Sequence, residues 1–159
     1  TEGLLERVDE VHGLDQSIHQ MQKAFTKFDK HGRVRFFRGD AERLPFADDA
    51  FDVVWSSGSI EYWPNPVDAL VELRRVCRPG GQVLVVGPNN PQTSVMKRVA
   101  DAIMLFYGED EADRMFVEAG YDSFRHVTMG PVYSPEVAIT TVAEVSAESK
   151  RADPEPLDA

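Results

Sequence analysis

The sequence predicts an α/β protein built on a parallel, doubly wound sheet, and three observations carry that expectation. Short apolar runs alternate with stretches of helical periodicity from Glu10 to Val86, the order that lays parallel strands beside crossover helices. Two of those runs end in small polar or acidic residues, Gly39-Asp40-Ala41-Glu42 and Ser56-Ser57-Gly58. Loops of this kind, at the carboxyl ends of parallel strands, are where open α/β sheets bind ligands. Finally, 159 residues with 42% hydrophobic content suffice for one domain with a sizeable core.

The elements follow in order. Glu10 to Asp15 reads as a short strand ending in a carboxylate. Ser17 caps the next helix, with Gln20 at the capping-box position. Met21, Ala24, Phe25 and Phe28 recur at helical spacing and define one buried face, and Lys30-His31-Gly32 closes the helix. Val34 to Arg38 is a second strand. Phe51 to Trp55 is a third, apolar enough to be covered on both faces.

Asn65 caps a further helix with Pro66 at its first position, and Leu70, Leu73 and Cys77 form the inward stripe. Arg74, Arg75 and Arg78 near its end suit the helix dipole. Pro79-Gly80-Gly81 reads as a hard stop before the buried strand Val83 to Val86. Thr93 to Phe106 reads as an apolar helix, and Glu109 to Ala119 as another, ended by Gly120. Phe124 to Met129 and Val137 to Val145, separated by Gly130-Pro131, form an antiparallel hairpin. The folded domain is expected over 1–148, with 149–159 a disordered acidic tail.

Charge narrows the function classes. The formal net charge of −10 comes from acidic residues spread along the chain, which read as a solvated surface. Such a surface repels phosphate backbones, so direct nucleic-acid binding by this chain alone is not expected. It suits a high-salt cytoplasm, and a halophilic source is the corresponding expectation. The single cysteine, Cys77, rules out an internal disulfide and a cysteine-rich metal site, and the four histidines lack metal-ligand spacing. No apolar run is long enough to span a membrane and no leader pattern opens the chain, so a cytoplasmic location is expected.

Several segments together resemble one family. Asp15, Gly39-Asp40-Ala41-Glu42-Arg43-Leu44-Pro45-Phe46, the run Phe51 to Ser57 and Arg78-Pro79-Gly80-Gly81 resemble class I S-adenosylmethionine (SAM) dependent methyltransferases. The stretch Gly58-Ser59-Ile60-Glu61-Tyr62-Trp63-Pro64-Asn65-Pro66, with Asp15-Gln16-Ser17 and Met104-Leu105-Phe106, looks like the quinol C-methyltransferases of plastoquinone and tocopherol synthesis. They look less closely like the ubiquinone and menaquinone enzymes.

The resemblance implies a Rossmann-like seven-stranded sheet closed by an antiparallel hairpin, with SAM as cofactor. It implies that Asp15 binds the ribose hydroxyls, since an ionised carboxylate accepts strong hydrogen bonds from them. Asp40 would face the adenine amino group and Ala41 would offer its backbone N–H to a ring nitrogen. Leu44 or Phe46 would pack on the adenine, and Gln16, Glu42, Ser56 and Ser57 complete the cofactor set. Glu61 and Tyr62 are the candidate catalytic residues for a small aromatic or prenylated quinol-type acceptor, whose carbon methylation requires loss of a proton.

The family's glycine-rich loop is absent: no GxGxG occurs, and Thr1 to Arg7 looks like the helix that follows it. The chain is therefore expected to be a fragment of a longer protein, with the sheet's first strand missing. No Asn-Pro-Pro-aromatic motif follows Ser57, which argues against base and glutamine N-methylation of the usual type.

Blander readings stand beside these. Asp15 is also a good helix cap, and Asp40 and Glu42 are also ordinary surface charges. Glu61 is by type a solvated residue, Tyr62 and Trp63 are wall residues, and His12 reads as a satisfied core histidine. The Met96 to Phe106 stripe serves either as core or as a lid over an apolar acceptor.

A second function follows from Val34 to Arg38 as an edge strand. Its adjacent Phe36 and Phe37 cannot both face the core, and an exposed aromatic on an edge invites strand addition by another protein. The resemblance includes enzymes completed in this way by a small zinc-binding activator protein, in which case the acceptor is RNA or protein.

Overall fold

A computed structural model describes residues 3–88, 108–129 and 138–151. The chain divides between Pro45 and Phe46 into two compact units.

The first unit is a βαβ arrangement of β1 (Val11–Asp15), α1 (Ile18–Phe28) and β2 (Val34–Arg38). The strands pair in parallel, with Val11 opposite Val34 and Asp15 opposite Arg38. Gly13 lies opposite Phe36, and a β-carbon on it would fall 2.8 Å from the phenylalanine ring, so the bare backbone lets that ring lie across the sheet. The α1 helix starts at Ser17, whose hydroxyl accepts the Gln20 N–H. Met21 and Phe28 are buried as the periodicity predicts, but Phe25 stays 51% exposed. Its ring meets Phe36 edge-on at 5.4 Å, so it sits at the border of the narrow floor that two strands provide. Among the described residues, 3–7 form turns where the sequence reads as a helix, with the Arg7 and Val8 N–H groups both donating to the Leu4 carbonyl.

The second unit contains β3 (Phe51–Ser57), a 3-10 turn (Ile60–Tyr62), α2 (Pro66–Val76) and β4 (Cys77–Pro88). It continues with α3 (Glu109–Glu118), β5 (Phe124–Met129), β6 (Ala138–Glu144) and α4 (Ala147–Arg151). The sheet order is β3-β4-β6-β5. β3 and β4 run parallel, while β6 is inserted antiparallel between β4 and β5. The expected hairpin pairing therefore holds. Among the described residues there are six strands in two sheets, against the seven that the resemblance implies.

The core of this unit lies on one side of its sheet. Val83, Val85, Ile139 and Ala143 are buried there, together with Leu70, Leu73 and Val76 from α2 and Phe116 from α3. The other side leaves Val53 and Trp55 each 51% exposed and Val127 39% exposed, so β3 is not covered on both faces as expected.

The Pro79-Gly80-Gly81 reading also changes. α2 ends at Val76, and Cys77 is already extended, so this fully buried thiol opens a strand instead of closing a helical stripe. Proline restricts the residue before it and removes a donor, so the helix cannot run on to Pro79. The chain instead bulges within β4: Phe51 pairs with Cys77, but Val53 pairs with Gln82. Gly80 takes a φ of 78°, and a β-carbon on Gly81 would lie 2.7 Å from the Asp52 carbonyl oxygen. Glycines here permit a bulge, not a stop.

Residues 149–151, expected in the tail, belong to α4. Ser149 is buried within α4, its carbonyl accepts from the buried Arg74, and Lys150 donates to the Arg75 carbonyl at 2.7 Å and pairs with Asp49. Residues 152–159, the expected helix Thr93 to Phe106 with its Met96 to Phe106 lid, and Gly130-Pro131 lie outside the described residues.

Candidate functional site

The first unit brings two of the expected carboxylates to one end of its sheet. Asp15 is the last residue of β1, and Asp40 follows β2 by two positions. Because the strands are parallel neighbours, both carboxylates stand at the same carboxyl end. Asp15 accepts the Ser17 N–H at 2.8 Å through Oδ1, and Asp40 accepts the Glu42 N–H at 3.0 Å through Oδ1. Among the described residues nothing bonds to the second oxygen of either. The capping reading of Asp15 is thus half right: it braces the turn before α1, while Ser17 is the cap. Gln16 is exposed, and its carbonyl accepts Arg38 Nε at 3.2 Å. Ala41 and Glu42 are half-buried in the turn that Asp40 and Arg43 close.

Of the two candidate adenine walls, Phe46 is already engaged. Its ring meets Phe51 edge-on at 4.9 Å and its carbonyl accepts Arg75 Nη1 at 2.9 Å. Leu44 is half-buried.

In the second unit, Ser56 and Ser57 end β3, the first half-buried and the second exposed. Gly58 follows with a φ of 64°, a left-handed conformation that glycine adopts without strain, and its N–H donates to the Val86 carbonyl at 3.0 Å. The 3-10 turn then places Glu61 inside the unit, only 8% exposed. Among the described residues its Oε2 is buried with no hydrogen-bond partner. Glutamate is rarely buried without pairing, since taking a carboxylate from water is costly, so this position is unlike the solvated glutamate of the bland reading. Tyr62 is 60% exposed, whereas Trp63 is buried.

Two other expectations change, and His126 gains a structural role. His12 is not a core residue: its ring lies against Phe37 and its Nε2 is 3.0 Å from Glu10 Oε1. Phe36 and Phe37 are both half-buried, Phe36 against Phe25 and Phe28 and Phe37 against His12, so β2 carries no exposed aromatic to recruit a partner. They point to opposite sides of the strand, and each side supplies a cover. His126, which spacing leaves isolated, bridges Thr141 and Asp113 at 2.8 and 2.9 Å, tying β5 to β6 and α3.

Sequence reasoning also missed Gly87 in β4, against which Ile60 rests. A glycine ending an apolar run was the available signal. Among the described residues no cluster of three or more His, Cys, Asp or Glu is placed to hold a metal ion, and no helix is long and apolar enough to cross a membrane.

Comparison with known proteins fits this arrangement. A family profile described as a methyltransferase domain matches residues 1–85. A 2-methyl-6-phytyl-1,4-hydroquinone methyltransferase of Oryza sativa subsp. japonica, a chloroplastic protein, is 43% identical over 133 residues, covering 82% of this chain and 38% of that protein. A demethylmenaquinone methyltransferase of Staphylococcus aureus is 28% identical over 142 residues, covering 73% of this chain and 59% of that protein. The chain thus spans about two-fifths of the rice relative's length. A chain from the complex between the Haloferax volcanii Trm112 methyltransferase activator and a methyltransferase superposes with a TM-score of 0.77 at 21% identity, covering 91% of this chain and 76% of that one. That likeness establishes the fold.

Proposed function

Because the chain belongs to the methyltransferase-domain family, as a class I SAM-dependent member, we propose that it methylates a ring carbon of a prenylated hydroquinone. The observation that carries the chemistry is the buried Glu61 carboxylate just past the end of β3, with one oxygen lacking a partner. The acceptor class is supported by the 43% identity to a phytyl-hydroquinone enzyme and by the more distant demethylmenaquinone enzyme.

SAM supplies an electrophilic methyl group when bound. The residues present suit it: in the first unit, Asp15 and Asp40 each keep a carboxylate oxygen available for hydroxyl or amino donors. Gln16, Ala41 and Glu42 flank them. In the second unit, Ser56, Ser57 and Gly58 are small enough for a ligand to approach the backbone closely.

Methylation of an aromatic carbon would form one C–C bond as the methyl–sulfur bond of the sulfonium breaks, with the neutral thioether as leaving group, and would release the ring proton from the same carbon. Glu61 accepts a hydroxyl proton from the hydroquinone, which raises electron density at the ring carbon beside that hydroxyl. Loss of the ring proton to solvent then restores aromaticity and Glu61 returns its proton to the phenolate oxygen, so one proton is released per turnover. Tyr62, exposed beside Glu61, stacks on or hydrogen-bonds to the acceptor ring. The remaining contribution is alignment and exclusion of water.

An acceptor panel tests this reading. Methyl-labelled SAM should transfer its label to carbon of 2-methyl-6-phytyl-1,4-hydroquinone or a demethylated menaquinol. Transfer only to RNA or protein would overturn it.

A further inference from the structure

The placement of Glu61 depends on a residue of another strand. A β-carbon built on Gly87 would lie 2.6 Å from Ile60 Cγ2, so the isoleucine methyl occupies the space that any other residue at 87 would fill. Ile60 is 4% exposed and Gly87 is buried, so neither has open space into which to retreat. One residue earlier in β4, the Val86 carbonyl accepts the Gly58 N–H at 3.0 Å. Two successive residues of β4 therefore hold the loop after β3, one through its carbonyl and one through its missing side chain. The turn closes through Tyr62 N–H to the Ser59 carbonyl at 2.9 Å and Trp63 N–H to the Ile60 carbonyl at 3.2 Å. Glu61 lies between these bonds, next in the chain to the seated Ile60.

We propose that Gly87 and Ile60 are positioning residues that hold the Glu61 carboxylate buried at the end of β3. Glycine inside a strand is otherwise a weakness, and here it makes room for a close approach. The inference rests on the reading of Glu61 as proton acceptor, but the seat itself is measurable apart from it.

The test places Gly87→Ala, Ile60→Ala and the double variant in a Trp55→Phe background, so that Trp63 alone reports on the turn by fluorescence. Gly87→Ala should raise acrylamide quenching of Trp63 and lower kcat roughly tenfold to a hundredfold, with KM for SAM unchanged, as expected when a reacting group moves by about an ångström. Adding Ile60→Ala removes the methyl that meets Ala at 87, so the double variant should be less quenched and more active than Gly87→Ala alone. Quenching in Gly87→Ala equal to that of its parent, or a double variant no better than Gly87→Ala, would overturn the proposal. Glu61→Gln is run beside them. Unchanged kcat there would defeat the proton-acceptor reading, while Trp63 quenching would still decide whether the seat exists.

Discussion

Asp15 and Asp40 use one device twice: each binds the backbone N–H two residues on, Ser17 at 2.8 Å and Glu42 at 3.0 Å, through a single carboxylate oxygen. The bond holds the carboxylate near the strand end through one oxygen, and the other is the one proposed to meet the cofactor. Structural and binding roles are therefore separable by substitution. Asp15→Asn keeps an acceptor for Ser17 N–H but loses the charge, whereas Asp15→Ala loses both. The alanine variant should be less stable than the asparagine variant by about 1 kcal/mol, the usual worth of such a bond, while both bind SAM weakly. Melting and calorimetry on the pair would check this.

Glu61→Gln preserves shape and volume in a buried position. Loss of a proton acceptor should lower kcat by roughly 10²- to 10⁴-fold while leaving SAM affinity within about twofold. Steady-state kinetics with varied SAM and acceptor separate these effects. A fall in SAM affinity alone would move Glu61 from the proton step to the cofactor.

Burial pushes the Cys77 thiol up to about 11 from an ordinary value of 9.0. The unfolded chain loses that proton near 9.0, and the folded chain keeps it to about 11. The stabilisation is thus complete below 9.0 and is lost as pH rises through about 11. Burial pushes the Tyr121 hydroxyl, which donates to the Leu70 carbonyl, in the same direction. Chemical denaturation between pH 8 and 11 should show falling stability, with a shallower fall in Cys77→Ala. At pH 8 the native thiol should resist iodoacetamide until the protein is unfolded.

His126→Ala removes the link among β5, β6 and α3 and leaves the buried Thr141 hydroxyl without its imidazole partner. A loss of about 1–3 kcal/mol is expected. His126→Ala combined with Thr141→Val should cost less than the two separate losses added together, which a double-mutant cycle in urea would measure.

The elements most legible in the sequence were those fixed by local chemistry. Val34 to Arg38 and Phe124 to Met129 match their expected bounds, Ser17 caps its helix through its side chain, and Asn65 stands at the N-cap position of α2 without a side-chain cap bond. Asp15 and Asp40 were readable because carboxylates follow two adjacent apolar runs. What misled was tertiary. Proline and glycine at 79–81 look like a terminator whether they end a helix or bulge a strand, and only pairing with β3 separates the two. The exposure of Val53 and Trp55 reflects which face of the sheet the helices cover, which strand composition does not encode. Phe36 and Phe37 looked like a surplus aromatic because the cover on each side, Phe25 and Phe28 or His12, comes from other elements. The burial of Glu61 was invisible for the same reason, since it follows from the fit of Ile60 onto a glycine 27 residues away in the chain.

The most direct test of the account is calorimetric titration of SAM into the wild-type protein, Asp15→Ala and Asp40→Ala. The wild type should bind, and each substitution should weaken binding by about tenfold or more, as expected for loss of a charge-assisted hydrogen bond. Wild-type affinity in both variants would contradict it.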